Sequence, residues 1–474
     1  MKKIFLMLAL MLGVLASCDK KMDAVFDEPA DVRLQEAIDH YRNTLTSAPN
    51  GWIFTMNTKL GGVYRFWLSF TEDGRVIMLS DANSEYASTI KESSYRITAL
   101  QTVLLTFDTG NYLTQLHDPE AAVSGGTEGQ GMGADIDFYF ISEDNGVFNM
   151  LGRFNSNAAT LKPATPAEAR VIVNGAFYDA QTLLTEYSMS MIYSVVSIEG
   201  VDIHVTFAPR QTAVEYLDDN GNLVNAVYNS YVDVDGLANG ESNGTVYIST
   251  PFTVKGKEII KFEWDSGENN YVAVSADGST YKLIDNRKPT YSITSVFGVD
   301  KTFNALQTVK SQLEGSITEP FLSRFNEIGD LLKQSTYKSY GPELVYMNMR
   351  LVLGSSLSSI PGIGSSWTVL EITFRTRLTG YYNYEYSPKF YWKVNIDSKG
   401  IYTFTDRING TTSIEAEVGS AFVKMFAFLE NNYFVLDWVS NRTAGSTAML
   451  GGFYASDANG EKSDDFTCGI LMRN

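Results

Sequence analysis

The residues best placed to do chemistry stand at the start of the sequence. Lys2 and Lys3 precede an apolar run from Ile4 to Val14, and Leu15-Ala16-Ser17-Cys18 follows directly. The run is shorter than the roughly 20 apolar residues a membrane-spanning helix requires. A basic start, a short apolar stretch and small residues before the cut make a secretory signal. Leu-Ala-Ser-Cys resembles the bacterial lipobox, in which the cysteine is diacylated, becomes residue one and is acylated on its amine. The expected product begins at Cys18 and is held at a membrane by its acyl chains.

Other motifs offer chemistry and then withhold its context. Gly240-Glu241-Ser242-Asn243-Gly244 has the letters of a nucleophile elbow, which needs a strand before the serine, a helix after it and a histidine later in the chain. Here a loop precedes, the strand-like Thr245-Val246-Tyr247-Ile248 follows, and the last histidine, His204, lies upstream. A glycine-rich hairpin loop is the better reading. Gly129 to Ala134 reads as Gly-x-Gly-x-x-Ala, but it opens into the strand-like Asp135 to Phe140, not into a helix whose amides would face a phosphate. It is expected to be a flexible loop. The histidines, His40, His117 and His204, are scattered, and with one spare cysteine they lack the usual zinc ligand sets. Oxygen ligands suffice for calcium. Asp218 to Asn222, Asp233 to Gly236 and Asp457 to Glu461 offer several each, none with EF-hand spacing, so they read first as acidic turns. No cofactor is expected, and calcium is left open. With 55 acidic residues, sequence alone singles out no catalytic carboxylate pair, because separation in space decides that chemistry.

The most suggestive binding feature is aromatic. Tyr382, Tyr384 and Tyr386 alternate with Asn383 and Glu385, so a strand would put all three rings on one face. Phe390, Tyr391 and Trp392 follow Pro388. Tyr382, Tyr384, Tyr386 and Trp392 are the candidate ligand-binding residues, able to stack on sugar rings or pack a partner. The competing reading is that this face covers the core.

The elements that must position these residues are mostly strands. A charged tether (18–26) leads to a helix from about Asp31 to Thr46, where Leu34, Ile38, Tyr41 and Leu45 recur at helical spacing. Strands are expected from Trp52 to Phe154, with a hairpin turn at Glu72-Asp73-Gly74-Arg75. The pattern then restarts. Ile172, Ala176, Ala180, Leu183 and Tyr187 mark a second helix, followed by strands from Met191 to Leu283. The helix starts share a phrase, Pro29-Ala30-Asp31-Val32-Arg33 and Pro166-Ala167-Glu168-Ala169-Arg170, which suggests an internal repeat. A third helical stretch, near Phe303 to Gln334 and broken around Gly315 and Pro320, precedes the last strands, which a short helix near Phe422 to Leu429 interrupts. The fold class is α+β and strand-dominated, with antiparallel sheets or barrel-like units each preceded by an amphipathic helix. The expected divisions are a signal (1–17), the tether, an N-terminal domain (27–164), a second β-rich region (165–295) and a C-terminal α+β domain (296–474).

Charge bounds the partners. The 37 basic and 55 acidic residues give a net charge of −18, which becomes −20 once Lys2 and Lys3 leave with the signal. Nucleic acid and anionic lipid surfaces demand clustered cations, so neither is expected.

Several phrases in the first third occur in a familiar order: Phe26-Asp27-Glu28, Ser47 to Trp52, Phe70 to Gly74, Ser93-Ser94-Tyr95, Leu105 to Thr109, Leu116-His117-Asp118-Pro119, and a Gly-rich loop before Asp137-Phe138-Tyr139-Phe140. This order resembles the Bacteroidetes lipoprotein family catalogued as domain of unknown function 4302. The resemblance implies an envelope lipoprotein of the outer membrane, in a setting of nutrient importers and substrate-capturing lipoproteins. It carries over no catalytic residue. The expected role is non-enzymatic binding or accessory work in nutrient uptake, with a glycan or peptide as ligand. The alternatives are a carboxylate-based glycan- or peptide-processing enzyme and a structural envelope protein without a small ligand.

Overall fold

The computed structural model describes residues 29–473 apart from 61, 100–101, 209, 235–243, 310–318, 336–337, 381–383 and 441–448. Cys18, Tyr382 and Ser242 therefore lie outside the described residues. Two compact units result: one takes in residues up to 60, 65–80 and 89–169, the other 61–64, 81–88 and 170–474.

Three antiparallel strand rings form the architecture. In the first, eight strands follow in chain order from Trp52–Asn57 to Ala158–Pro163, and these two pair to close it. The second runs the same way from Tyr193–Ile198 to Thr280–Asn286, again closed by pairing its ends. The third lies in a nine-stranded sheet, where Ala305–Thr308 pairs with both Pro342–Leu353 and Lys462–Met472, and Tyr384–Tyr386 is added beside Thr368–Leu378. Rings of about eight strands are just wide enough for side chains to fill. Here Phe54, Phe66, Phe107 and Phe138 are fully buried in the first unit, and Phe262, Tyr271 and Ile259 in the second ring.

The helix pattern was legible. Helix α1, Ala30–Ser47, lays Tyr41 flat on Phe140 at 3.9 Å between ring centroids, and Leu45 is buried. The Trp52 indole N–H donates to the Leu45 carbonyl at 2.9 Å, tying helix to barrel. The second phrase opens α2, Pro166–Val173, and α3, Ala176–Ser190, turns Phe177, Ala180, Leu184 and Tyr187 inward. The shared phrase thus stands before two helix-then-ring units. Around the third ring the expectation needs correction. Within Phe303 to Gln334, Ala305–Thr308 is a strand and not helical, while α4 spans Glu319–Leu332. Four residues carry little local preference; hydrogen-bonded partners far away in the chain, Met347–Arg350 and Ile470–Met472, decide them.

Acidic turns also follow simple chemistry. In Asp218 to Asn222 the aspartate carboxylate accepts the amides of Asn220 and Asn222 at 2.9 and 2.8 Å, while Gly221 sits at φ +77°. Asp457 does the same with Asn459 and Glu461. These backbone bonds hold both carboxyls below their ordinary range. The carboxylates are thereby used as hairpin caps. Among the described residues no group of three histidine, cysteine or acidic side chains gathers as a metal site would require. Cys468 is fully buried in the third core, and burial pushes its thiol up to about 12.

Candidate functional site

A groove of about 480 Å³ opens in the first unit, lined by Lys59, Leu60, His117, Gln130, Phe154 and Asn155, with Pro119, Gly129 and Gly133 in its floor. Its walls come from the phrase Leu116 to Pro119 and from the Gly-rich loop. That loop is ordered by close backbone approach. The Met132 amide donates to the Leu116 carbonyl at 2.9 Å, and the Gly129 amide to the Pro119 carbonyl at 2.8 Å. At Gly131, φ +58°, an added Cβ would stand 2.5 Å from the Asp118 carbonyl oxygen. Only glycine fits there. The Gly-x-Gly-x-x-Ala spacing therefore serves backbone packing, and the expectation of a flexible loop is replaced by a fixed one.

The Ala134 carbonyl orients two groove side chains. His117 Nδ1 lies 2.7 Å from it and Asn155 Nδ2 lies 3.3 Å from it. A carbonyl only accepts, so Nδ1 carries a proton. In the neutral ring Nε2 is then an acceptor, on an imidazole exposed to solvent. Behind the groove, Asp135 is completely buried. Its carboxylate accepts the amides of Phe154 and Asn155, both at 2.9 Å, and of Asn157 at 3.1 Å. This one side chain fixes the segment that carries Phe154, whose ring is 63% exposed, and the Arg153 guanidinium stands 4.9 Å from that ring's centroid. The groove thus offers a base, a cation, two amides and an exposed ring.

The aromatic row fares differently. Tyr386 is 5% exposed and Trp392 1%, both in the third core, and Phe390 is fully buried beside them. The Trp392 N–H donates to Glu430 at 3.1 Å. Tyr386 and Trp392 are therefore core residues and cannot stack on a ligand, which corrects that assignment. The Tyr384–Tyr386 strand is three residues long and, among the described residues, pairs with Thr376, Arg377 and Leu378. Tyr386 covers the core, while Tyr384, 55% exposed, lies at the far end. Between them Glu385 bonds Arg377 and Arg375, which hold its carboxyl below the usual range. The Gly240 to Gly244 motif leads into strand Thr245–Val254, not the helix an elbow needs. Lys59, Gln130, Phe154 and Asn155 were missed by sequence reasoning; the signal that pointed near them was the family phrase containing His117.

The family described as Domain of unknown function (DUF4302) matches residues 22–266, just over half of the chain. The chain belongs to that family. This DUF4302 match takes in the whole first ring, the groove and most of the second ring. No curated protein matches the chain. Among solved structures, the DNA polymerase beta subunit of Streptococcus pyogenes aligns over 93% of this chain and 98% of its own at 10% identity, with a TM-score of 0.13. The DNA polymerase sliding clamp of Pseudomonas aeruginosa aligns over 94% and 97% at 9% identity, also at 0.13. Scores this low establish no shared fold.

A second polar cluster of this DUF4302 protein is buried in the other unit. Tyr193 and Tyr291 both donate to Glu215 Oε1, at 3.3 and 2.5 Å, and the His204 ring stacks on Tyr193 at 3.5 Å. Burial raises the Glu215 carboxyl and lowers the His204 imidazole to about 4. The two act oppositely on stability. His204 refuses a proton that the unfolded chain accepts below about 6.5, so its contribution is lost as pH falls from 6.5 towards 4. Glu215 prefers its proton when folded, so its contribution is lost as pH rises through its raised value. Glu215→Gln should therefore raise the melting temperature at pH 7 and steepen the acid loss, whereas His204→Gln should flatten the loss. Parallel melting-temperature profiles for both variants and the wild type would refute this.

Proposed function

We propose that this protein is a lipid-anchored envelope lipoprotein that binds a neutral oligosaccharide in the His117 groove, as a non-enzymatic component of nutrient uptake. The anchor reading rests on Leu15-Ala16-Ser17-Cys18. The binding reading rests on one arrangement: an imidazole with Nδ1 fixed on the Ala134 carbonyl, set in a groove with the exposed Phe154 ring. Sugars present apolar faces to rings and hydroxyls to amides and imidazoles, and Phe154, Gln130, Asn155 and His117 supply those complements. The volume falls within the range of small-molecule sites, roughly 300–1,000 Å³. No carboxylate is among the lining residues, which favours binding over carboxylate-based hydrolysis at this place.

The test joins anchor and groove. Cys18→Ala should release the protein from washed membranes or leave its signal uncut. Detergent-solubilised mature protein should bind a member of a panel of xylo-, malto- and chito-oligosaccharides in calorimetric titration. His117→Ala and Phe154→Ala should each weaken that binding about tenfold, as loss of one or two good contacts does, with little change in melting temperature. Binding of short peptides alone, or sugar binding indifferent to both substitutions, would overturn the reading.

A further inference from the structure

The second unit holds an apolar cavity of about 200 Å³, walled by Phe177, Leu184, Phe207 and Val232. Dry cavities of about 150 Å³ already take up benzene, so this one admits a single small ring or branched chain. Two observations narrow the occupant. Ser188 Oγ, on α3, lines the cavity, is buried and has no hydrogen-bond partner. A buried hydroxyl left unpaired is unfavourable, and a ligand polar group would satisfy it. The one cation at the wall, Arg210, is already committed: Nη1 donates to Asp81 Oδ2 at 2.7 Å and to the Val63 carbonyl at 2.9 Å, and the guanidinium lies 4.7 Å from the Tyr64 ring centroid. Gln181 likewise spends its amide on the Asp81 carbonyl at 2.5 Å. The wall's charges cancel, so nothing there calls for a charged ligand.

We propose that this cavity is a binding site for a small neutral aromatic or branched aliphatic molecule carrying one hydroxyl, with its body on Phe177, Leu184, Phe207 and Val232 and its hydroxyl on Ser188. The site is separate from the His117 groove and stands or falls independently of it. The experiment uses the whole mature protein and three probes of one shape: p-cresol, toluene and 4-methylbenzoate, followed by ligand-observed NMR. p-Cresol should bind saturably, toluene about fivefold more weakly for want of the hydrogen bond, and 4-methylbenzoate not at all. Ser188→Ala should bring p-cresol down to the affinity of toluene. Thr185→Trp, at an exposed helix position on the rim, should abolish binding of both by filling the space. His117→Ala should change neither. Absence of p-cresol binding, binding of 4-methylbenzoate as tight as p-cresol, or p-cresol binding unaltered in both Ser188→Ala and Thr185→Trp would overturn the assignment.

Discussion

Asp135→Ala should destabilise the protein by about 2 kcal/mol or more, because a buried amide left without an acceptor costs roughly 1–3 kcal/mol and a partly buried one less. Three amides, those of Phe154, Asn155 and Asn157, lose their partner at once. The site has no slack to compensate. The Cβ that an alanine at Gly152 would carry falls 1.9 Å from Asp135 Oδ2, so the carboxylate is tightly enclosed and Gly152→Ala should be destabilising too. Denaturant unfolding of both variants measures the effect. A loss below about 1 kcal/mol for Asp135→Ala, the ordinary size for a point substitution, would mean that water or a shifted loop replaces the carboxylate. Under the proposed function, sugar binding at the groove should fall together with stability, since the same carboxylate orients Phe154.

Trp392→Ala should cost about 3–5 kcal/mol, the usual range for emptying a large aromatic site. The indole is buried against Phe426, 5.6 Å between ring centroids, and its N–H is bonded to Glu430. Tyr384→Ala, by contrast, should stay within about 0.5 kcal/mol of wild type, as exposed substitutions do. Thermal unfolding of the pair decides between core and surface. Equal losses for the two would contradict the burial pattern, and a near-neutral Trp392→Ala would show that the third core repacks without it.

The face of α1, from Leu34 to Leu45, was legible because 3.6-residue spacing is a local property. So were turns such as Glu72 to Arg75, where glycine takes the conformation the others avoid. The strand at Tyr384–Tyr386 was legible from its alternation, but which of its rings reaches the core depends on residues far away in the chain. Strand Ala158–Pro163 went unread for the same reason. Its Ala-Ala-Thr-Leu-Lys-Pro carries weak strand preference, and pairing with Trp52–Asn57 on one side and Val147–Gly152 on the other holds it. The groove was half legible. His117 and the glycines were noticed, but a run of glycines looks mobile until the carbonyls pressed against it are known. Asp135 looked like one more acid in an acidic chain, and only its complete burial shows that it positions Phe154.

Ring closure also sets an order in time. A chain synthesised from its amino end delivers Trp52–Asn57 early, and that strand must wait for Ala158–Pro163, about a hundred residues later, before its second edge is paired. The third ring waits longest, since Ala305–Thr308 needs Lys462–Met472. Pairings so distant in sequence form slowly, and unpaired edges are open to intermolecular association until they do. The first two rings can close while synthesis continues. The third cannot close before its final strand emerges, so its edges stay open to association longest.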